Sequence, residues 1–104
     1  MAGLFGGYKS QVYHEVAQRI AQAIKGRISA DNYAVSVPEE EDSKVTEALL
    51  GVPGLTAFLI VEPDEQQYLR HVVVKRPNRN AVRFAVMRQT QGQHQSYVVR
   101  AAAS

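Results

Sequence analysis

Apolar residues recur at three- and four-residue steps through residues 9–28, where Val12, Val16, Ile20, Ala23, Ile24 and Ile28 fall on one stripe that Tyr13 and Ala17 widen. That period is the helical one, and it predicts a surface helix laid on a core. The opposite side carries Gln11, Glu15, Gln18, Arg19, Gln22 and Lys25. Ser10 is placed to cap the first turn through its hydroxyl, and Gly26 suits the helix end. The segment is too short for the several heptads of a coiled coil.

Beyond it the period changes to two. Asp31 and Asn32 signal a turn, and residues 33–37 alternate as a short strand that Pro38 ends. Residues 39–42 read as a solvated acidic loop. A second, short helix is expected over 44–50, begun by Asp42 or Ser43, with Val45, Ala48 and Leu49 inward and Gly51 to Gly54 stopping it. Residues 56–61 hold few polar side chains, which suggests a central strand. After a polar turn at 62–65, residues 68–76, 81–89 and 96–100 form a meander joined by turns at 77–80 and 90–95. The expected fold is α+β in the order α-β-α-β-β-β-β, with the long helix packed on a mainly antiparallel sheet. A chain of 104 residues makes one domain, with 1–7 and 101–104 expected to be flexible ends.

The meander also suggests a register. Pairing Arg76 with Ala81 sets Val73 against Phe84 and gathers Leu69, His71, Val82 and Val86 on the same core face. The other face then receives Arg70, Val72, Val74, Arg76, Arg83 and Met87. Pairing Gln89 with Ser96 adds Arg100 opposite Ala85, and Val98. A slip of one residue would exchange the faces of a strand. Arginine mixed with aliphatic side chains and methionine has the composition of an interface rather than of open solvent.

Charge sharpens this picture. Residues 1–29 balance at +3, residues 30–65 at −8 with nine carboxylates against Lys44, and residues 66–104 at +7 with seven cations and no carboxylate. The formal net charge of +2 conceals that sorting, which bears on what the surfaces attract. The acidic segment has two possible places. It can lie over the basic meander and neutralise it, or lie away and leave it open.

Chemistry is harder to read from these residues. With no cysteine, disulfides, thiolate metal sites and cysteine nucleophiles are excluded, which fits the cytoplasm. The start has no secretory pattern, and no apolar run approaches the ~20 residues of a membrane span. Gly3, Gly6 and Gly7 lack the strand and the Gly-Lys-Ser/Thr of a phosphate loop. His14, His71 and His94 share no metal-ligand spacing, and no serine has a nucleophile context. No catalytic residue, metal or cofactor is expected.

The expectation is therefore a non-catalytic interaction or assembly module. Its basic, partly apolar sheet face would self-associate as a homo-oligomer or bind an acidic protein partner. An alternative is a nucleic-acid-binding accessory protein using the same face, with Tyr68 and Tyr97 near the basic strands. A third is a small ribonuclease drawing on Tyr68, Arg70, His71, Arg83, Arg88 and Tyr97.

Overall fold

The computed structural model describes residues 7–29, 33–61 and 67–102. The turns expected at Asp31–Asn32 and 62–65 and the ends at 1–6 and 103–104 lie outside them. The first helix, α1, runs Tyr8–Ile24 and buries Val12, Tyr13, Val16, Ala17, Ile20 and Ile24, the stripe that the helical period marks. Its start differs from the expectation. Ser10 lies inside the helix, Gly7 occupies the cap position without a side-chain bond, and the Gln11 amide donates to the Gly7 carbonyl. The Arg79 guanidinium stacks 4.7 Å from the Tyr8 ring and supports this extra turn from outside the helix.

The helix ends by Gly26 as expected, and so stops short of Ile28. Lys25 takes a left-handed conformation (φ 55°), and the amides of Lys25 and Gly26 both close on the Ala21 carbonyl. A Cβ on Gly26 would lie 2.5 Å from Val35 Cγ1, so only glycine lets the chain pass there. Ile28 consequently sits in a strand, β1 (Arg27–Ser29), rather than on the helical stripe. Three residues carry too little alternation to announce a strand; its partner β2 (Ala34–Val37) defines it.

The second helix, α2, spans Asp42–Leu50 and buries Val45 and Leu49, with Asp42 favourably placed in its first turn. Strands β3 (Leu55–Ile60), β4 (Leu69–Val74), β5 (Val82–Gln91) and β6 (His94–Ala101) complete one antiparallel sheet in the order β1-β2-β6-β5-β4-β3. Ala101 is the last residue of β6. The β5–β6 hairpin turns through Gly92 at φ 62°, the left-handed first position that suits glycine. The expected central strand at 56–61 is instead the edge strand β3, which among the described residues pairs only with β4. An apolar run marks a strand without saying how many neighbours it has.

The two meander registers fare differently. Gln89 pairs with Ser96 and Ala85 with Arg100, as expected. Between β4 and β5 the ladder is one residue away from the expected one: Val72 faces Phe84, and Val74 faces Val82. Arg76 is drawn out of the ladder. Its Nε donates to the Pro53 carbonyl at 3.1 Å, and its two terminal nitrogens bind the Glu15 carboxylate at 3.0 and 2.7 Å. The left-handed Asn78 (φ 61°) then lengthens the connection. The slip turns β4 over: Arg70, Val72 and Val74 face the helices, and Leu69, His71 and Val73 face away.

The Arg76–Glu15 clamp makes one pH prediction. The hydrogen bond from Arg76 holds the Glu15 carboxyl below its ordinary 4.5, outweighing the opposing effect of burial, with the charges of Arg76 and Arg19 adding to it. A carboxyl lowered in the fold stabilises the fold when ionised, and that contribution disappears as pH falls through the folded value. The melting temperature of the parent should therefore fall on acidification below 4.5, and that of Glu15→Gln should fall less. Parallel thermal melts check this; identical acid limbs would mean the pair contributes nothing.

Candidate functional site: the uncovered face of the sheet

The six strands carry Arg27, Arg70, Arg83, Arg88 and Arg100 and not one Asp or Glu. Directly paired residues of an antiparallel ladder share a face, so the register sorts these arginines. Both helices pack on one side, where Val35, Val72, Val74, Phe84, Val86, Tyr97 and Val99 join Val16, Ile20, Val45 and Leu49 in one core. Arg70 and Arg88 belong to this covered side. Arg27, Arg83 and Arg100 belong to the other, over which no described helix lies.

That open face is built in rows across the strands. Val73 pairs with Arg83, and Ala57 with Val73. The next row runs Leu59, His71, Ala85 and Arg100; the third runs Leu69, Met87, Val98 and Ala34. Gln89, Ser96, Ser36 and Arg27 form the last. The arginines are exposed, Leu69, Val73 and Met87 are half-buried, and Leu59 is 60% exposed. The small or short side chains of Ala85 and Val98 lie buried among their larger neighbours. At the β1 end a shallow cavity of about 550 Å³ opens between Lys25, Arg27, Ser36, His94 and Ser96. The face formed by the described strand residues is therefore apolar along its middle, cationic around it, and without a carboxylate.

Of the expected binding residues, Arg83, Met87 and Arg100 are on this face. Arg70, Val72 and Val74 are on the covered side because of the register slip, and Arg76 lies past the end of β4 against Glu15. Residues not anticipated there are Arg27, Leu59, Leu69, His71 and Val73. The alternation of Leu69–Val74 fits either face equally, and Arg27 needed a strand that the sequence does not announce.

Among the described residues of the acidic segment, Glu40, Glu41 and Asp42 gather on the helix side of the sheet, away from the open face. Asp42, at the start of α2, accepts from the Tyr97 hydroxyl at 2.6 Å and from Arg88 on the covered side. The Glu41 amide donates to the Tyr97 hydroxyl at 2.7 Å, and the Glu40 carboxylate accepts from the Asp42 amide at 2.7 Å. Beside this knot Thr46 and Tyr68 share a hydrogen bond of 2.9 Å, the rings of Tyr68 and Tyr97 meet edge to face at 5.7 Å, and Arg70 stacks 3.9 Å from the Tyr68 ring. Burial, and then the bond to Asp42, push the Tyr97 hydroxyl far above its ordinary range. For Arg88, burial opposes its charge, while the Asp42 bond and charge more than offset this and raise its pKa.

These positions divide the six residues of the ribonuclease reading. His71 and Arg83 are on the open face; Tyr68, Arg70, Arg88 and Tyr97 are on the other. Among the described residues no three His, Asp or Glu side chains converge as a metal set, and no helix is long and apolar enough to cross a membrane. In comparisons with known proteins, no family model, no curated protein and no solved structure matches this chain.

Proposed function

We propose that this chain is a non-catalytic protein-binding module whose open sheet face receives an acidic protein surface. One observation carries the reading: among the described residues, the sheet face with Arg27, Arg83 and Arg100 around Leu69, Met87 and Val98 holds no carboxylate. Apolar side chains at the centre supply the area to be buried, and arginines around them favour an acidic partner and orient it. Two copies meeting face to face would set arginine against arginine, so this face suits a different partner. Nucleic acid is less well served. The rings of Phe84, Tyr68 and Tyr97 point to the helix side, leaving phosphate contacts with no stacking from those rings.

The test uses a synthetic amphipathic peptide rich in Glu and Leu, and a single-stranded oligonucleotide of equal charge. The peptide should shift the backbone resonances of Arg83, Met87, Val98 and Arg100. Reversing Arg83 to Glu, an exposed change that leaves the fold intact, should weaken the peptide at least about tenfold, or ~1.4 kcal/mol. Shifts confined to the helices, or unchanged affinity in Arg83→Glu, would remove the proposal. Tighter binding of the oligonucleotide with a steep salt dependence would transfer the face to nucleic acid.

A further inference from the structure

We infer that two copies of this chain join through the free edge of β3, extending the sheet across a two-fold axis centred on Leu59. The inference rests on the edge strand and is independent of the ligand of the open face. The two edges of the sheet are unlike. At one end β1 is three residues long and carries Arg27. At the other, Leu55–Ile60 has neither a charge nor a proline. Exposed edges in monomeric proteins are commonly guarded by lysine, proline, shortness or a bulge. Here a bulge disturbs the ladder between Leu55 and Ala57, and the Thr56 hydroxyl turns back to the Val73 carbonyl at 3.1 Å. Among the described residues nothing of this kind guards Ala57 to Val61.

Exposure points to the same stretch. The large apolar side chains left exposed among the described residues are Leu50, Leu59 and Ile60, and two of the three are on β3, at 60% and 55%. Leu59 is on the open face and Ile60 on the opposite one, so no single covering element would bury both. A strand added at the edge does, because its side chains flank both faces.

The backbone selects the register. The Val61 amide donates to the Leu69 carbonyl, so the Val61 and Leu59 backbone groups turn toward β4. By alternation the amides and carbonyls of Phe58 and Ile60 turn outward. Centring the axis on Leu59 pairs Phe58 with Ile60 of the second copy in both directions, which satisfies those outward groups. It sets Leu59 against Leu59 and Ala57 against Val61. No charge opposes a like charge. Because the axis is perpendicular to the sheet, both open faces end on the same side, so the dimer presents two copies of the basic face in one plane.

Sedimentation equilibrium of the whole chain is expected to give twice 11.5 kDa at high micromolar concentration. Leu59→Lys places two ammonium groups at the axis, and Ile60→Pro removes an outward amide that the β3–β4 ladder does not use. Each should raise the dimer dissociation constant at least about tenfold while the circular dichroism spectrum is kept. Leu50→Lys, an exposed apolar position on α2, should leave the dimer intact. The chain has no cysteine, so Leu59→Cys supplies one thiol per copy. With oxidised glutathione as the oxidant, the two thiols should form one disulfide across the axis and release two reduced glutathiones, because directly opposed Cα atoms of a non-hydrogen-bonded pair are about 4.5 Å apart. A single-chain mass for the parent overturns the inference. So does a dimer that survives both Leu59→Lys and Ile60→Pro, or one that Leu59→Cys does not cross-link.

Discussion

Phe84→Ala is expected to destabilise the fold by about 3–5 kcal/mol, as large-to-small changes at fully enclosed aromatic sites do. Phe84 has no exposed surface, and its neighbours across the ladder are Val72 on β4 and Ala101 on β6. The Tyr13 ring of α1 meets it at 6.0 Å and 65°. Helix and sheet thus close on this one side chain, and a cavity there cannot collapse without moving α1. The adjacent Arg83 points the other way and is exposed, so Arg83→Ala should change stability by no more than ~0.5 kcal/mol. Urea titration of the two variants measures both terms. Comparable losses would mean that the assignment of β5 to its faces is wrong.

Asp42→Ala is the second large effect, expected at about 3 kcal/mol. The side chain of Arg88 is 13% exposed, and without Asp42 it loses the carboxylate that offsets its burial. The Tyr97 hydroxyl loses its acceptor at the same time. The figure is at the low end for breaking a buried pair because Asp42 itself is 29% exposed and water screens it in part. Tyr97→Phe should cost less, about 1 kcal/mol, since the ring stays in place and the Asp42–Arg88 pair survives. A double-mutant cycle between Asp42 and Tyr97 should show coupling; additive losses would show that the two act apart. Neither variant touches the open face, so peptide binding by the folded fraction should be unchanged.

The second prediction depends on how charge was distributed by folding. The sorted charges along the chain suggested two outcomes, an acidic segment lying over the basic meander or lying away from it. Among the described residues both occur in part: Asp42 meets Arg88 on the helix side, whereas Arg27, Arg83 and Arg100 lie on the other face. Opposite charges that are far apart in sequence meet only where the fold brings their elements together, and the period-two pattern places Arg88 and Arg83 on opposite faces of the same strand.

The local periods alone determined a great deal. The stripe Val12, Val16, Ile20 and Ile24, widened by Tyr13 and Ala17, specified α1, because residues spaced by both three and four share a face in a helix and not in a strand. Val45 and Leu49 did the same for α2, and alternation with turn residues specified the meander and the Gln89–Ser96 pairing, while the turn expected at 90–95 is in fact a two-residue one at Gly92 and Gln93. Tertiary structure decided what no local period contains. Alternation in Leu69–Val74 is symmetric with respect to the two faces, and the choice fell to Arg76, pulled off the ladder by Glu15 and Pro53 from distant parts of the chain. The edge position of β3 was likewise a matter of partners, since an apolar strand reads the same with one neighbour or two. So the membership of the open face, with Arg83, Met87 and Arg100 kept and Arg70, Val72 and Val74 lost to the core, was settled by long-range contacts, which act on a strand as a whole and turn it over by a single residue.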